Sequence, residues 1–413
     1  MTSTEQLFHK VTRVEIDERT AQDLRDILAK APNWRELEYK AERTGISALV
    51  FYCLKEAKLG HLVPLDVWAN LRLSYVANSV RNIILTREAE LLLEKLAREG
   101  IEVMALKGIA LLNSVYPHIA LRQMCAVDLL VRPEQMERAE RVLAENRFRY
   151  YDKGELDEEY AKDYVRQPWV AAMDGGVSVE IHRALVSEKS PFAINLDTLW
   201  KRAEVIRIGK IEALALSVED EMHHLAAHLY GHHFAPNWQW RNLCDLAAIV
   251  QMRGDGGIDW DYLLRSSKEY KTTGALFLAL SALDETLKTA EVKRFLESAK
   301  AVIQSNGMFG AIENLERHLP RFDFDALSHL PSTITQIAEE SSVLGKARIA
   351  LENVSSRKRL IAFRGGEAVR SNNRGWQFLR SLLLVTKYNL NSVRMAYLIG
   401  KLSKEIRSAP QRN

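Results

Sequence analysis

The stretch of this chain that most constrains its fold is residues 121–134. Its later part, which runs up to Val131, is apolar and partly β-branched and predicts a short strand, and this strand ends where Arg132-Pro133-Glu134 begins a helix. Side chains two residues apart on a strand share a face. Ala126 and Asp128 are therefore expected to point to the same side of a sheet.

Asp128 is thus expected to be a carboxylate at a strand end, beside the helix that begins with glycine at Lys107-Gly108. Such a position suits a ligand for a divalent metal above a nucleotide phosphate. A solvent-facing or helix-capping aspartate is the alternative that this residue alone leaves open.

Composition predicts an ordinary globular protein. The 413 residues are 47% hydrophobic and 27% charged, and no apolar run approaches the roughly 18 residues of a membrane span. The N-terminus lacks the basic and apolar regions of a signal peptide, so a cytoplasmic location without a transmembrane segment is expected. Three scattered cysteines favour neither a disulfide framework nor a zinc site.

Helical spacing of apolar residues dominates the first part of the chain. It predicts helices over residues 21–31, 34–44, 46–58 and 65–98, and the last helix has polar breaks in its apolar stripe. A short strand over residues 101–106 follows, and Lys107-Gly108 then begins another helix. Backbone N–H groups at a helix start favour anions, and glycine allows a phosphate to approach closely.

A β region follows the next helix. Residues 164–173 and 177–185 are predicted to be strands of a hairpin, because Asp174-Gly175-Gly176 lies between them. On the second strand, Glu180 and His182 share one face. From Leu196 onward the pattern returns to helix.

Several of these elements together resemble a known family. The order Leu106-Lys107-Gly108, then Tyr116-Pro117, then Arg122-Gln-Met124 and Asp128-Leu-Leu-Val131, closely resembles the bacterial uncharacterised nucleotidyltransferase family. That family belongs to the DNA polymerase β-like nucleotidyltransferase superfamily. The resemblance implies an α+β fold, a small mixed β-sheet core embedded in a mostly helical protein.

The same resemblance implies a site and a reaction. The family usually has Asp-x-Asp where this chain has Ala126 and Asp128, so one expected carboxylate is missing. Glu180 matches the carboxylate from the neighbouring strand, and with Asp128 it is predicted to be catalytic and to bind Mg²⁺ or Mn²⁺. The predicted nucleotide contacts are Lys107, Gly108, Arg122 and His182.

A second group of residues is predicted on the helices after position 216. His224, His228 and His232 are spaced to share a face of one helix, and the family shows a similar helix followed by tryptophans and an acidic segment. The predicted wall of the acceptor or nucleotide pocket comprises His224, His228, Trp240 and Asp245. A structural zinc site and a packed helix with satisfied histidines are the alternatives.

The C-terminal part is basic. From Ser355 to the end, thirteen Lys and Arg accompany two Asp and Glu, a net charge of +11, which leaves −8 for the rest of the chain. This tail is expected to pack on its own domain or to contact an anionic partner. The predicted domains are a helical region (1–98), a nucleotidyltransferase-like α/β core (99–215), a helical domain (216–350) and the basic helical tail (351–413).

The predicted function is transfer of a nucleotidyl group from a nucleoside triphosphate to an unidentified acceptor, which is a small molecule, a glycan precursor or a protein. Ala126 cannot coordinate a metal. The alternative is therefore a catalytically degenerate protein that binds a nucleotide or another partner.

Overall fold

The structure is a computed structural model that describes residues 2–146, 148–150, 166–171, 177–186, 190, 192–231, 236–254, 256–287 and 289–305. It confirms the α+β class, with a mixed sheet inside a mostly helical protein. The strands in these ranges are β1 (Val103–Leu106), β2 (Ala126–Val131), β3 (Phe148–Tyr150), β4 (Arg166–Ala171), β5 (Ser178–His182), β6 (Glu204–Ile208) and β7 (Ile211–Ala215).

The helices of the first half of the chain are α1 (Ser3–Lys10), α2 (Glu18–Leu28), α3 (Trp34–Thr44), α4 (Ser47–Glu56), α5 (Leu65–Arg98), α6 (Lys107–Ser114) and α7 (Met136–Glu145). The later described helices are α8 (Leu196–Arg202), α9 (Val218–Gly231), α10 (Pro236–Arg253), α11 (Trp260–Glu269), α12 (Thr273–Leu287) and α13 (Ala290–Ser305). The predicted bounds of α3 and α5 are confirmed to the residue, because local signals mark their ends. The Asn33 side chain accepts from the amide of Glu36 at the start of α3, and Gly45 ends it in the left-handed region.

The sheet places the two strands that matter for the site at its centre. The strand order is β3-β4-β5-β2-β1-β7-β6. β2 pairs with β5 in parallel and with β1 antiparallel, and β1 pairs with β7 in parallel. Because β2 lies between β1 and β5, residues from three separate parts of the chain meet around it.

The two faces of the sheet have different surroundings. Val127 and Leu129 of β2, like Val179 and Ile181 of β5, belong to the main hydrophobic core. Leu130 on the other face packs in a smaller cluster that includes Met104, Leu106, Leu185, Leu199 and Leu216. Asp128 alternates with the core residues along β2, and so it lies on the face of the smaller cluster.

The prediction that the chain returns to helix from Leu196 onward is wrong over residues 204–215. After α8, the hairpin of β6 and β7 joins the sheet at the edge beside β1. Gly209 has a φ of +59° at the turn, and Glu90 of α5 accepts a hydrogen bond from the Lys210 amide at 3.0 Å. The turn is therefore fixed by a residue of a distant helix as well as by glycine.

Some predictions fall outside the described residues. The turn Asp174-Gly175-Gly176 is one of them, although β4 and β5 on either side pair antiparallel as expected. His232 and the basic tail from residue 351 onward also lie outside these ranges. The four domain boundaries stay predictions, although all seven described strands fall within residues 103–215.

Candidate functional site

The candidate site is formed by three side chains on β2 and β5. In the parallel pairing of these strands, Asp128 is the direct partner of Glu180, and Leu130 is the partner of His182. One ligand atom from each of Asp128, Glu180 and His182 lies within 4.8 Å of the others. The cluster is an arrangement of hard oxygen ligands and one imidazole nitrogen that can hold a metal ion.

His182 contacts both carboxylates. Its Nε2 lies 2.8 Å from Asp128 Oδ1 and 4.0 Å from Glu180 Oε2. The His182 residue is only 3% exposed, so this contact is shielded from water. A shielded polar contact is stronger than the same contact at the surface.

Lys107 approaches the cluster from the neighbouring strand. It follows β1 directly, and the register of β1 against β2 places Leu106 opposite Asp128. The Lys107 Nζ donates a hydrogen bond to Asp128 Oδ1 at 2.9 Å. The φ of Lys107 is +50°, a left-handed conformation that costs free energy in a non-glycine residue.

The ionised form of Asp128 is strongly favoured. Burial alone would raise the pKa of this carboxyl. The charge of Lys107 and the hydrogen bonds from His182 and Lys107 lower the pKa by more, so the net pKa lies well below its usual range. Asp128 is thus a permanent anion at neutral pH, as a metal ligand must be.

Position 126 lies on the same face as Asp128. Ala126 is partly exposed and pairs in register with Ser178, two positions before Glu180. A side chain at position 126 therefore lies beside the cluster. The methyl group there supplies no ligand atom.

Arg122 is buried in a hydrogen-bond network with Tyr116 and with Asp245 of α10. Its guanidinium donates to both carboxylate oxygens of Asp245, at 3.3 and 2.9 Å, and the Tyr116 hydroxyl donates to the same carboxylate at 2.7 Å. The bidentate ion pair joins the loop before β2 to the helical layer. A contact between Arg122 and a nucleotide stays a prediction.

Gly108 is needed for packing. A Cβ added at this residue would lie 2.7 Å from Met124 Cγ and 2.9 Å from Arg122 Nη1. Any side chain at this residue would force Met124 or Arg122 to shift. Packing against Met124 and Arg122 accounts for the glycine, and a contact between Gly108 and a phosphate stays a prediction.

Sequence reasoning missed the residues that hold the loop before β2. Asn78 donates to the carbonyl of Ala120, Asn82 donates to the carbonyls of Ile119 and Arg122, and Arg81 donates to that of Met124. The signal was present in the sequence, since Asn78 and Asn82 interrupt an apolar helix stripe at a spacing of four residues.

The four residues predicted to line the acceptor or nucleotide pocket each contact other side chains of the helical layer. His224 Nδ1 lies 3.7 Å from Glu221 Oε2, and His228 Nδ1 lies 2.9 Å from Asn242 Nδ2. Trp240 packs its ring 4.8 Å from that of Phe8, and Asp245 binds Arg122. Their role in binding stays a prediction. Among the described residues, the cluster of three side chains that could hold a metal is the one on β2 and β5.

Comparison with known proteins gave one match. The model of a family described as an uncharacterised nucleotidyltransferase matches residues 30–288. No curated protein and no solved structure matches the chain.

The match spans the whole site described above. It covers Lys107, both strands that present the acidic cluster, and the helices from α3 to α12. None of the helices in the described ranges has the length and apolar character needed to span a membrane. Because the family model covers more than half of the sequence, this chain belongs to the family of uncharacterised nucleotidyltransferases and has a nucleotidyltransferase-type function.

Proposed function

We propose that this protein binds a nucleoside triphosphate together with Mg²⁺ or Mn²⁺ and transfers its nucleotidyl group to an acceptor. The observation that carries the proposal is the pairing of Asp128 and Glu180 on adjacent parallel strands, with His182 and Lys107 on the same carboxylate. Two acids and two nitrogen groups from three separate chain segments converge there. Such convergence of charged groups on a sheet is characteristic of a functional site.

The residues fit a divalent cation. Asp128 and Glu180 offer the hard oxygens that Mg²⁺ prefers, and the His182 nitrogen is better suited to Mn²⁺. The hydrogen bonds from Lys107 and His182 both go to Asp128 Oδ1. When bound, the cation would neutralise phosphate charge and lower the pKa of the attacking hydroxyl group.

The protein's own groups would position the substrate. We assign Lys107 to a phosphate oxygen, with Gly108, Arg122 and His182 as the further nucleotide contacts. In the reaction, the acceptor hydroxyl oxygen forms a bond to the α-phosphorus as the bond to the bridging oxygen breaks. Pyrophosphate leaves with the bonding electron pair, and the hydroxyl proton passes to solvent.

The acceptor is a small molecule, a glycan precursor or a protein. We assign His224, His228, Trp240 and Asp245 to the wall of the pocket that receives it or the nucleotide base. The basic tail from residue 351, which lies outside the described residues, is proposed to contact an anionic partner because residues 355–413 within it have a net charge of +11.

Ala126 supports a second candidate function, a catalytically degenerate protein that binds a nucleotide or another partner. Position 126 is beside the cluster and contributes no oxygen. Loss of one member of a group of residues that act together costs several orders of magnitude in rate. Binding and catalysis must therefore be measured separately.

The binding experiment is a calorimetric titration of the full chain with ATP and with GTP, in the presence and absence of Mg²⁺. The variant Asp128→Asn/Glu180→Gln is expected to lose Mg²⁺-dependent binding. Glu212→Gln, which changes an exposed carboxylate on β7, is the matched control and is expected to bind like the natural chain. Absence of Mg²⁺-dependent binding of either nucleotide by the natural chain contradicts the proposal.

The catalytic experiment compares the natural chain with Ala126→Asp. Each is incubated with α-³²P-labelled triphosphates and cell extract, and transfer of label to an acceptor is followed. Transfer of label by the natural chain supports the nucleotidyltransferase, whereas transfer by Ala126→Asp alone shows that the natural chain is a degenerate binding protein. Retained nucleotide binding with no transfer by either protein favours the degenerate binding protein.

A further inference from the structure

Helix α5 exposes an apolar stripe to solvent. We use the name outer stripe for Ala69, Leu73, Val76, Val80 and Ile83. The four larger residues are 67%, 48%, 54% and 55% exposed, in chain order. A contiguous apolar patch of this kind on a soluble protein marks an interaction surface.

The spacing of the outer stripe is that of a coiled-coil seam. Successive members are separated by 4, 3, 4 and 3 residues, which is a heptad repeat of a and d positions. With a at Leu73 and Val80 and d at Val76 and Ile83, the stripe fits the side of a second helix by knobs-into-holes packing. It suits a helix rather than a sheet or a flat surface.

The opposite face of the same helix already has its partner. Leu71, Asn78, Asn82 and Leu85 are buried there, and both asparagines bind carbonyls of the loop before β2. The helix is therefore anchored in its own protein by one face. The outer stripe is a second apolar face, which the fold of the described residues does not use.

We infer that the outer stripe pairs, antiparallel, with the outer stripe of a second copy of this chain. The four larger residues are placed symmetrically about position 78, with Leu73 and Ile83 five residues away and Val76 and Val80 two residues away. A two-fold axis at this position puts Leu73 opposite Ile83 of the second copy and Val76 opposite Val80. Such a surface is self-complementary, as a symmetric dimer interface requires.

The residues that flank the stripe permit this arrangement. In an antiparallel pair, Ala77 and Ser79 each lie near their own copies at the two-fold axis, and both are small. Arg72 is the charged flanking residue within these layers, and it lies opposite Thr86 of the second copy. No like charges face each other, so the flanks add no repulsion.

The first test measures the mass of the full chain in solution by sedimentation at micromolar concentrations. The natural chain is expected to be a dimer, and Val76→Glu/Val80→Glu is expected to have half that mass, because four glutamates would meet at the axis. Leu65→Glu is the matched control, since Leu65 is 87% exposed on the same helix beyond the layers. Unchanged circular dichroism shows that the variants remain folded.

The second test fixes the orientation with cysteines in a Cys125→Ser background. Ala77→Cys is expected to form an intermolecular disulfide on mild oxidation, because the two copies of position 77 meet near the axis. Leu73→Cys is expected not to do so, since the two copies of position 73 lie about 15 Å apart along the helices at 1.5 Å per residue. Crosslinking of Leu73→Cys in place of Ala77→Cys overturns the antiparallel arrangement.

Two other outcomes overturn the proposal as a whole. One is a natural chain that sediments as a monomer at micromolar concentrations, which would show that the outer stripe does not bind a second copy. The other is a dimer that the two glutamates leave intact, which would place the interface elsewhere on the surface.

Discussion

The Lys107 ammonium group and the Asp128 carboxylate form a salt bridge of 2.9 Å, with each side chain only 12% exposed. The two residues come from different elements, the start of α6 and the middle of β2. The lysine therefore occupies one oxygen of the carboxylate that we assign to the cation. Lysine and cation compete for that oxygen, while a bound triphosphate gives the lysine a second anion to contact.

This competition predicts opposite effects of Lys107→Met on two ligands. Mn²⁺ alone is expected to bind about tenfold more tightly, or by about 1.4 kcal/mol, because the competing positive charge is gone. A triphosphate is expected to bind more weakly, because a phosphate contact is lost. Electron paramagnetic resonance of free Mn²⁺ gives the first affinity, and calorimetry gives the second.

Lys58→Met is the matched control for this prediction. Lys58 is an exposed lysine that, like Lys107, has a positive φ, here 59°. It is expected to change neither affinity. A parallel fall of both affinities in Lys107→Met would contradict the competition.

The buried pair of Arg122 and Asp245 predicts a large effect on stability. Asp245→Asn leaves the buried guanidinium without its counter-charge, and the free energy of unfolding is expected to fall by about 3–5 kcal/mol. Burial lowers the pKa of Arg122, but the Asp245 charge raises it by more, so the arginine stays charged. Urea unfolding measures the loss.

A double variant distinguishes the effect of one unpaired buried charge from the effect of losing the whole ion pair. Arg122→Met/Asp245→Leu removes both charges, so it is expected to be less destabilised than Asp245→Asn. An Asp245→Asn protein within about 0.5 kcal/mol of the natural chain would show that this network contributes little.

Close packing at Gly108 predicts that Gly108→Ala is destabilising. The new methyl group would overlap Met124 and the Arg122 guanidinium, which costs about 1–3 kcal/mol. Thermal unfolding gives the cost. The second substitution Met124→Ala makes room, so Gly108→Ala is expected to cost less in that background than in the natural chain. An equal cost in both backgrounds would mean that contact with Met124 is not the cause.

His223 predicts that stability falls at acid pH. This fully buried residue bonds to Thr272 Oγ1 at 2.8 Å and Ser266 Oγ at 2.7 Å. Burial, followed by the Arg202 charge, lowers its pKa to about 3 from 6.5. The unfolded chain then binds the proton more readily, so His223 contributes stability that is fully present above pH 6.5 and is lost as pH falls towards 3.

Between pH 6.5 and 3, titration of His223 is expected to change the free energy of unfolding by about 1.4 kcal/mol per pH unit. The measurement is urea unfolding at several pH values for the natural chain and for His223→Gln, which does not titrate. The free energy of unfolding of the natural chain should fall more steeply with falling pH than that of His223→Gln, by this amount per pH unit. Equal slopes would mean that His223 does not titrate as its burial requires.

Local sequence determined the elements around the site. The ends of α3 and α5, the strand that ends at Val131 and the shared face of Glu180 and His182 all follow from apolar spacing, capping residues and strand alternation. These signals are local, since each depends on residues a few positions apart. The β6–β7 hairpin was missed because part of what fixes its turn, Glu90, lies 120 residues away.

Tertiary structure alone decided what those elements do together. Asp128 and Glu180 are 52 positions apart in the sequence and become neighbours only through the parallel pairing of β2 and β5. In the same way, only the fold revealed that Arg122 binds Asp245, that Asn78 and Asn82 hold a loop, and that one face of α5 is left exposed. The physical reason is that a residue pattern specifies which side of an element is apolar or polar, while strand pairing and packing over the whole chain determine which partner meets that side.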